Sequence, residues 1–376
     1  MGKPTAIDLF AGAGGLSTGF QRAGFDIVWA NDIDTNCKKT FEKNHEHAYF
    51  ELGDISKIHA EDISTSSGIK KIDLIVGGPP CQGFSLANMQ DRVLDNPKNA
   101  LVLEFLRIVR ELKPEYFVME NVEGLVMMNN GQVRQEIEGY LKNEKYAVRS
   151  EVLCAADYGV PQKRRRIVFV GNRCGAEIFF PSITHADTAE FGLRKFVDNK
   201  AKIKDYVTVG DAISDLPKIN DDYGFEVADY ASAPKNPYQS ERRSKSNKVY
   251  NHVITKNAAL VKERYKHIPE GGNWANLPEH LKSASVKRMG GHSYLYRRLD
   301  SKQPAATIAN FRKAMLIHPW ENRGLSVREA ARLQSFDDDF LFLGGISSQQ
   351  QQIANAVPPL LAEAVAKEIL KTMNSD

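Results

Sequence analysis

The segment Asp8–Phe20 (Asp-Leu-Phe-Ala-Gly-Ala-Gly-Gly-Leu-Ser-Thr-Gly-Phe) constrains the fold more than any other part of the chain. An apolar run, Ala6–Phe10, reaches glycines at 12, 14 and 15 and then passes into a helical pattern ending near Arg22. A strand that turns through glycines into a helix opens a βαβ unit. Without side chains, the turn lets a ligand approach the helix N-terminus. The dinucleotide fingerprint is incomplete, because Ser17 stands where its third glycine belongs. A nucleoside cofactor is one reading and a plain tight turn is the other. Asp32 lies just past the second apolar run, Ile27–Ala30, where a carboxylate can accept hydrogen bonds from ribose hydroxyls. Asp54, in Gly-Asp-Ile55, is placed to reach an adenine amino group.

The pattern continues to about residue 175. A polar helix is expected over Asn36–Lys43 and a doubly buried strand over Ile72–Val76. An amphipathic helix follows over Leu101–Leu112, then strands over Tyr116–Met119, Ala147–Leu153 and Ile167–Val170. Such alternation predicts an α/β fold, a doubly wound, Rossmann-like sheet with a mostly parallel centre. Beyond Cys174 the apolar pieces are short and aperiodic, so 181–345 reads as a smaller, irregular second domain. Within it, 235–248 holds five basic residues against one acid and reads as a mobile solvated loop, or as a phosphate-contacting loop if the partner is nucleic acid. At the chain's end, Leu361, Val365 and Ile369 form an apolar stripe on a helix over Pro359–Met373, with Gln349–Gln352 as a polar lead-in. That helix needs an apolar partner, and the first domain's sheet offers one. The expected division is therefore 1–180 completed by 346–376, with 181–345 inserted.

Composition removes several classes. At 42% hydrophobic and 26% charged residues, wholesale disorder is excluded. A net charge of only +3 means that any nucleic-acid surface must be a local patch. The four cysteines (37, 81, 154, 174) contain no CxxC, so no metal site is expected. No apolar run is long enough for a membrane span and the first residues lack a signal-peptide core, which predicts a soluble, cytoplasmic protein.

Three further segments carry chemistry. Gly77-Gly-Pro-Pro-Cys-Gln-Gly-Phe-Ser85 follows the buried strand, and its prolines stiffen the approach to Cys81 at the sheet's C-terminal edge. A core cysteine needs no such setting. Glu120-Asn-Val122 ends another buried strand, where a carboxylate is costly unless partnered or used, a helix N-cap or a salt-bridged edge residue being the bland alternatives. In Tyr158–Ile167, strand alternation would turn Gln162, Arg164 and Arg166 one way and Lys163 and Arg165 the other. That makes either a solvated basic edge or a guanidinium set for an anionic or carbonyl-bearing substrate.

Together these segments resemble the DNA (cytosine-5) methyltransferases. The resemblance runs from Asp8–Phe20 through Pro79-Pro-Cys81, Glu120-Asn-Val122 and Gln162–Arg166 to Leu325–Gln334 and Gln352–Pro358. Only the middle of 181–300 is uncovered. Ala354, Asp337 and Asp32 stand where the family more often has Gly, Pro and Glu. The resemblance implies S-adenosylmethionine as methyl donor and double-stranded DNA as partner. Cys81 would add to carbon 6 of a flipped-out cytosine, Glu120 would assist at ring nitrogen 3, and Arg164 would hold the carbonyl at ring position 2. It also implies a donor site of Phe10, Gly12, Gly14, Gly15, Leu16, Asp32, Ile33, Asp54, Ile55, Pro80, Leu101, Asn355 and Val357. Gln82, Ser85, Gln162, Arg166, Arg297 and Arg298 become substrate or DNA contacts, and the middle region becomes a target-recognition domain. A monomer is expected, with a cognate restriction endonuclease acting independently. The competing readings are a tRNA methyltransferase of the same lineage and a catalytically silent DNA-binding relative. A nicotinamide-dependent dehydrogenase has no use for Pro-Pro-Cys.

Overall fold

The structure is a computed structural model and describes residues 2–69, 71–80, 100–127, 131–187, 203–220, 222–282, 295–309, 311 and 315–374. It divides into two compact units. The first comprises 1–155, 165–182 and 357–376; the second comprises 156–164 and 183–356.

In the first unit β1 (Thr5–Leu9), β2 (Asp26–Asp32), β3 (Tyr49–Leu52), β4 (Leu74–Gly77), β5 (Tyr116–Val122), β6 (Ala147–Cys154) and β8 (Arg165–Asn172) form one sheet in the order β3-β2-β1-β4-β5-β8-β6. β1 through β5 are parallel, whereas β8 runs antiparallel to both β5 and β6. The helices between them are α1 (Gly15–Ala23), α2 (Thr35–Asn44), α3 (Ala60–Ser67), α4 (Ala100–Leu112), the short α5 (Gly124–Met127) and α6 (Gln132–Asn143). Strand order reverses between β1 and β4, which creates the crevice at the carboxyl ends of the strands where open α/β sheets bind ligands.

The sheet is held by apolar burial. Ile7, Leu9, Trp29, Ile75, Phe117 and Met119 join Ile63 of α3, Phe105 and Val109 of α4 and Ile137 of α6 in one continuous cluster. The terminal helix Pro359–Met373 packs against α1 through buried Leu361, Val365 and Ile369, so the chain's end completes the unit that its beginning starts. Contact is close there because Gly19 has no side chain. A β-carbon at Gly19 would lie 2.4 Å from Ala362 Cβ and 2.6 Å from the Pro359 carbonyl oxygen. The chain re-enters this unit at Val357 rather than at 346. The run Gln349–Gln352, expected as a polar lead-in, lies in a helix over Ile346–Asn355 that belongs to the second unit and buries Gln349, Gln350 and Gln352.

The second unit is organised around buried charge, which explains its lack of apolar periodicity. Arg328 and Arg332, on the helix Val327–Leu333, are both 0% exposed. Arg332 pairs with Asp338 at 2.6 Å and with Asp215 at 3.2 Å, while Arg328 donates to the carbonyls of Tyr250, Asp337 and Phe340. The basic stretch 235–248 is not a loop. Asn236 caps a helix over Pro237–Arg243 whose first residue is proline, a favoured helix start. Its arginines are spent internally, Arg242 on Asp337 and the Ser335 carbonyl and Arg243 on Asp215. Among the described residues no helix is long and apolar enough to cross a membrane.

Candidate active site

The site builds from the carboxyl ends of β1, β2, β4 and β5. After β1 the backbone turns through Phe10, Gly12 and Gly14, all with positive φ (60°, 55° and 93°). At Phe10 that conformation is uncommon for a residue with a side chain and marks stored strain. The turn is tied down on several sides. Ala11 N donates to the Asn31 carbonyl (2.8 Å), Gly12 N to Asp32 Oδ2 (2.9 Å) and Gly14 N to the Ala11 carbonyl (2.9 Å). Thr18 Oγ1 returns to the Gly14 carbonyl at 2.7 Å. A β-carbon at Gly15 would lie 2.3 Å from the Val357 carbonyl oxygen, so the returning chain presses directly on the turn.

Asp32 ends β2 with its other oxygen accepting from Asp34 N (2.9 Å). Burial pushes its carboxyl above the usual range, partly offset by those two N–H donors. Beside it Ile33 is 72% exposed, a large apolar side chain left uncovered at the strand end. Asp54 caps the turn at Ile55–Lys57 by accepting from Ser56 N (3.0 Å). Ile55 itself is in the core, and Leu101, in the first turn of α4, is partly buried against the same cluster. A glycine turn at a helix N-terminus, an anchored carboxylate and an exposed apolar side chain fit a nucleoside with free hydroxyls and a flat base.

Under β4 and β5 the chemistry differs. Glu120, nearly buried, pairs with Arg166, whose Nε lies 2.7 Å from Glu120 Oε1. The antiparallel register of β5 and β8 sets this pair, with Glu120 opposite Val168 and Val122 opposite Arg166. The turn after β4 sits against the same carboxylate. A β-carbon at Gly78 would lie 3.0 Å from Glu120 Oε2, and Asn121 Nδ2 donates to the Pro79 carbonyl at 3.0 Å. Pro80 is exposed beyond it. Cys81, Gln82 and Ser85 lie outside the described residues.

Several expected contacts are placed elsewhere. Burial alternates as the sequence predicts, with Gln162 and Arg164 buried, Arg166 partly buried and Lys163 and Arg165 exposed. Gln162 N and Arg164 N nevertheless bond to carbonyls two residues back (2.7 and 3.0 Å), and β7 (Gln162–Lys163) pairs with Ala305–Ala306. Arg164 is 2% exposed and donates to the carbonyls of Ile308 (3.2 Å) and Ala354 (3.1 Å), bracing the second unit internally. Gln162 is fully buried, accepting from Ile308 N and donating to the Leu333 carbonyl. Arg298 is 5% exposed and its guanidinium donates to the carbonyls of Tyr265, Ile268, His318 and Glu321. Arg297 is partly exposed, and Asn355 is exposed with its side chain bonded to Gln351. Two site residues escaped the sequence reading. Asn121 ties the turn of 77–80, and its place between Glu120 and Val122 was the available signal. His45, packed beneath Gly14, gave none.

Comparison with known proteins agrees with this architecture. A family model described as C-5 cytosine-specific DNA methylase matches residues 5–371. The Type II methyltransferase M1.HphI of Haemophilus parahaemolyticus is 37% identical over 99% of the chain and 88% of its own length. The Type II methyltransferase M.DdeI of Desulfomicrobium norvegicum is 35% identical over 96% of the chain and 88% of its own length. A crystal structure described as a DNA modification methyltransferase encoded within an E. coli prophage superposes with a TM-score of 0.77 at 29% identity, covering 99% of this chain and 100% of that one. Model and relatives span nearly the whole sequence, and the chain belongs to the C-5 cytosine-specific DNA methylases.

Proposed function

We propose that the chain methylates carbon 5 of a cytosine flipped out of a specific duplex DNA sequence, with Cys81 as nucleophile and the Glu120–Arg166 pair gripping the base. The observation that carries this reading is that pair, set against the turn that leads one residue later to Cys81.

The cytosine edge presents a carbonyl at position 2, a ring nitrogen at 3 and an amino group at 4. A guanidinium donates to the first and a carboxyl group serves the other two, so Glu120 and Arg166 match it as a unit. Arg166 therefore takes the role expected of Arg164. Carbon 5 is a weak nucleophile while the ring is aromatic. Adding the Cys81 thiolate to carbon 6 forms the C–S bond, places the displaced electron pair over ring nitrogen 3, and makes carbon 5 enamine-like. Glu120 stabilises the charge at nitrogen 3 by hydrogen bonding or proton donation. After methylation a general base or water takes the carbon 5 proton, the C–H pair re-forms the double bond between carbons 5 and 6, and the C–S pair leaves with sulfur to restore the thiolate.

Phe10, Gly12, Gly14, Gly15, Leu16, Asp32, Ile33, Asp54, Ile55, Leu101 and Val357 would hold S-adenosylmethionine. When bound, it supplies a sulfonium-activated methyl group. In this reading the second unit reads the target sequence, with Arg297 a phosphate contact, and the chain acts as a monomer beside a separate restriction endonuclease.

A duplex carrying 5-fluorocytosine tests the covalent step, because fluorine at carbon 5 cannot leave as the proton does. With donor present, the chain should form a denaturation-resistant adduct that maps to Cys81 and is absent in Cys81→Ser. Turnover of ordinary DNA without any adduct would overturn the nucleophile assignment.

A further inference from the structure

One buried titratable side chain near the donor turn has no part in the chemistry above. His45 follows α2, is 4% exposed, and its ring stacks on Phe41 with centroids 4.4 Å apart. It lies directly beneath the glycine turn. A β-carbon at Gly14 would sit 2.4 Å from His45 Nε2 and 2.8 Å from Cδ2, so the imidazole fills the space that makes glycine obligatory at 14. The ring is fixed from the other side as well. Nδ1 is hydrogen-bonded with Gln21 Oε1 at 2.7 Å, and Gln21 belongs to α1, the helix that the turn opens. Thr18 Oγ1, which holds the Gly14 carbonyl, is 3.5 Å from Nε2.

We propose that His45 is a positioning residue for the methyl donor, its ring wedged under Gly14 and tethered by Gln21 so that the turn keeps its binding shape. The inference rests on the donor site assigned above. Gly12 is held by Asp32 and Gly15 by the Val357 carbonyl; Gly14 bonds to the Ala11 carbonyl and to Thr18, and His45 adds the side-chain ring packed nearest beneath it among the described residues. With φ at 93°, Gly14 can relax to other conformations at little steric cost once that support is gone. A turn that samples several shapes binds with an affinity reduced by the fraction of time it spends in the competent one. Burial pushes the His45 imidazolium down to about 4, so the ring is neutral and its packing is constant across the physiological range.

Titration calorimetry of S-adenosylhomocysteine binding, without DNA or turnover, tests this. Wild type should bind, and failure to bind would refute the donor site itself. His45→Ala should weaken binding about tenfold and Gln21→Ala about threefold, while duplex DNA affinity stays within twofold. If His45→Ala does not fold, Gln21→Ala decides, because the tether lies outside the core. A lowered melting temperature with unchanged S-adenosylhomocysteine affinity in the folded variants would overturn the proposal and leave His45 a packing residue.

Discussion

Asp8, the penultimate residue of β1 before the glycine turn, is 0% exposed, and its carboxylate accepts from Ser17 Oγ at 2.6 Å. Its Oδ1 has no hydrogen-bond partner among the described residues. Burial pushes its carboxyl from 3.8 up to about 7, against the opposing effect of the Ser17 bonds. Because the folded value exceeds the unfolded one, the folded state holds its proton longer, and stability falls as pH rises between the two. At about 1.4 kcal/mol per pH unit the full cost of ionising Asp8 in place is on the order of 4 kcal/mol, and roughly 2–3 kcal/mol of it accrues between pH 5 and 8. The buried histidines act oppositely. His45 and His318 are pushed down to about 4, so they remove stability as pH falls below the ordinary histidine range. Comparing wild type with Asp8→Asn cancels them. Urea unfolding should be followed by the fluorescence of Trp29, buried in the same sheet, with Trp274 and Trp320 replaced by Phe. Asp8→Asn should gain roughly 2–3 kcal/mol on wild type between pH 5 and 8 whatever its stability at pH 5. Parallel curves for the two proteins would refute the claim that the Asp8 carboxyl is neutral where it is buried.

Arg166→Ala should lower turnover about 10²–10³-fold with S-adenosylhomocysteine affinity unchanged, the scale of losing a preorganised donor to developing charge. Arg164→Ala should instead lower the melting temperature by several degrees, since it strips buried carbonyls of their donor. The reverse assignment in paired kinetic and thermal measurements would refute both roles. Gly19→Ala should destabilise by about 1–3 kcal/mol in urea titrations despite alanine's better helix propensity, because its β-carbon meets Ala362 and the Pro359 carbonyl. No loss would mean that α1 and the terminal helix can separate freely. Arg332→Met should cost about 3–5 kcal/mol at neutral pH by taking from buried Asp338 its 2.6 Å guanidinium partner and leaving Asp215 with Arg243 alone among the described residues. Arg332 holds the Asp338 carboxyl below the usual range, so in wild type the pair's contribution is complete above that range and disappears as pH falls through it. A flat difference between the two proteins from pH 7 to 3 would count against this.

The legibility of the chain follows the physics of each part. The parallel strands and the terminal helix were readable because strand burial and helical stripes repeat with fixed periods, and Pro359–Met373 is the range that the sequence predicts. The glycine turn was readable because positive φ restricts residue choice. Guanidinium roles were not. Arg164, Arg166, Arg242 and Arg298 look alike in sequence, and only tertiary placement distinguishes a group that bonds internal carbonyls from one paired with Glu120. The same cause hid the second unit, whose helices bury ion pairs instead of an apolar stripe. The alternation over 162–166 held in burial, but the two short backbone bonds that interrupt the strand were not legible.

The most direct measurement incubates the purified chain with S-adenosylmethionine and duplex DNA of random sequence and locates methylated bases by bisulfite sequencing together with nucleoside mass spectrometry. 5-Methylcytosine should appear in one short sequence context and be abolished in Cys81→Ser. Methyl groups on exocyclic nitrogens, or incorporation that persists in Cys81→Ser, would contradict cytosine-5 methylation through Cys81.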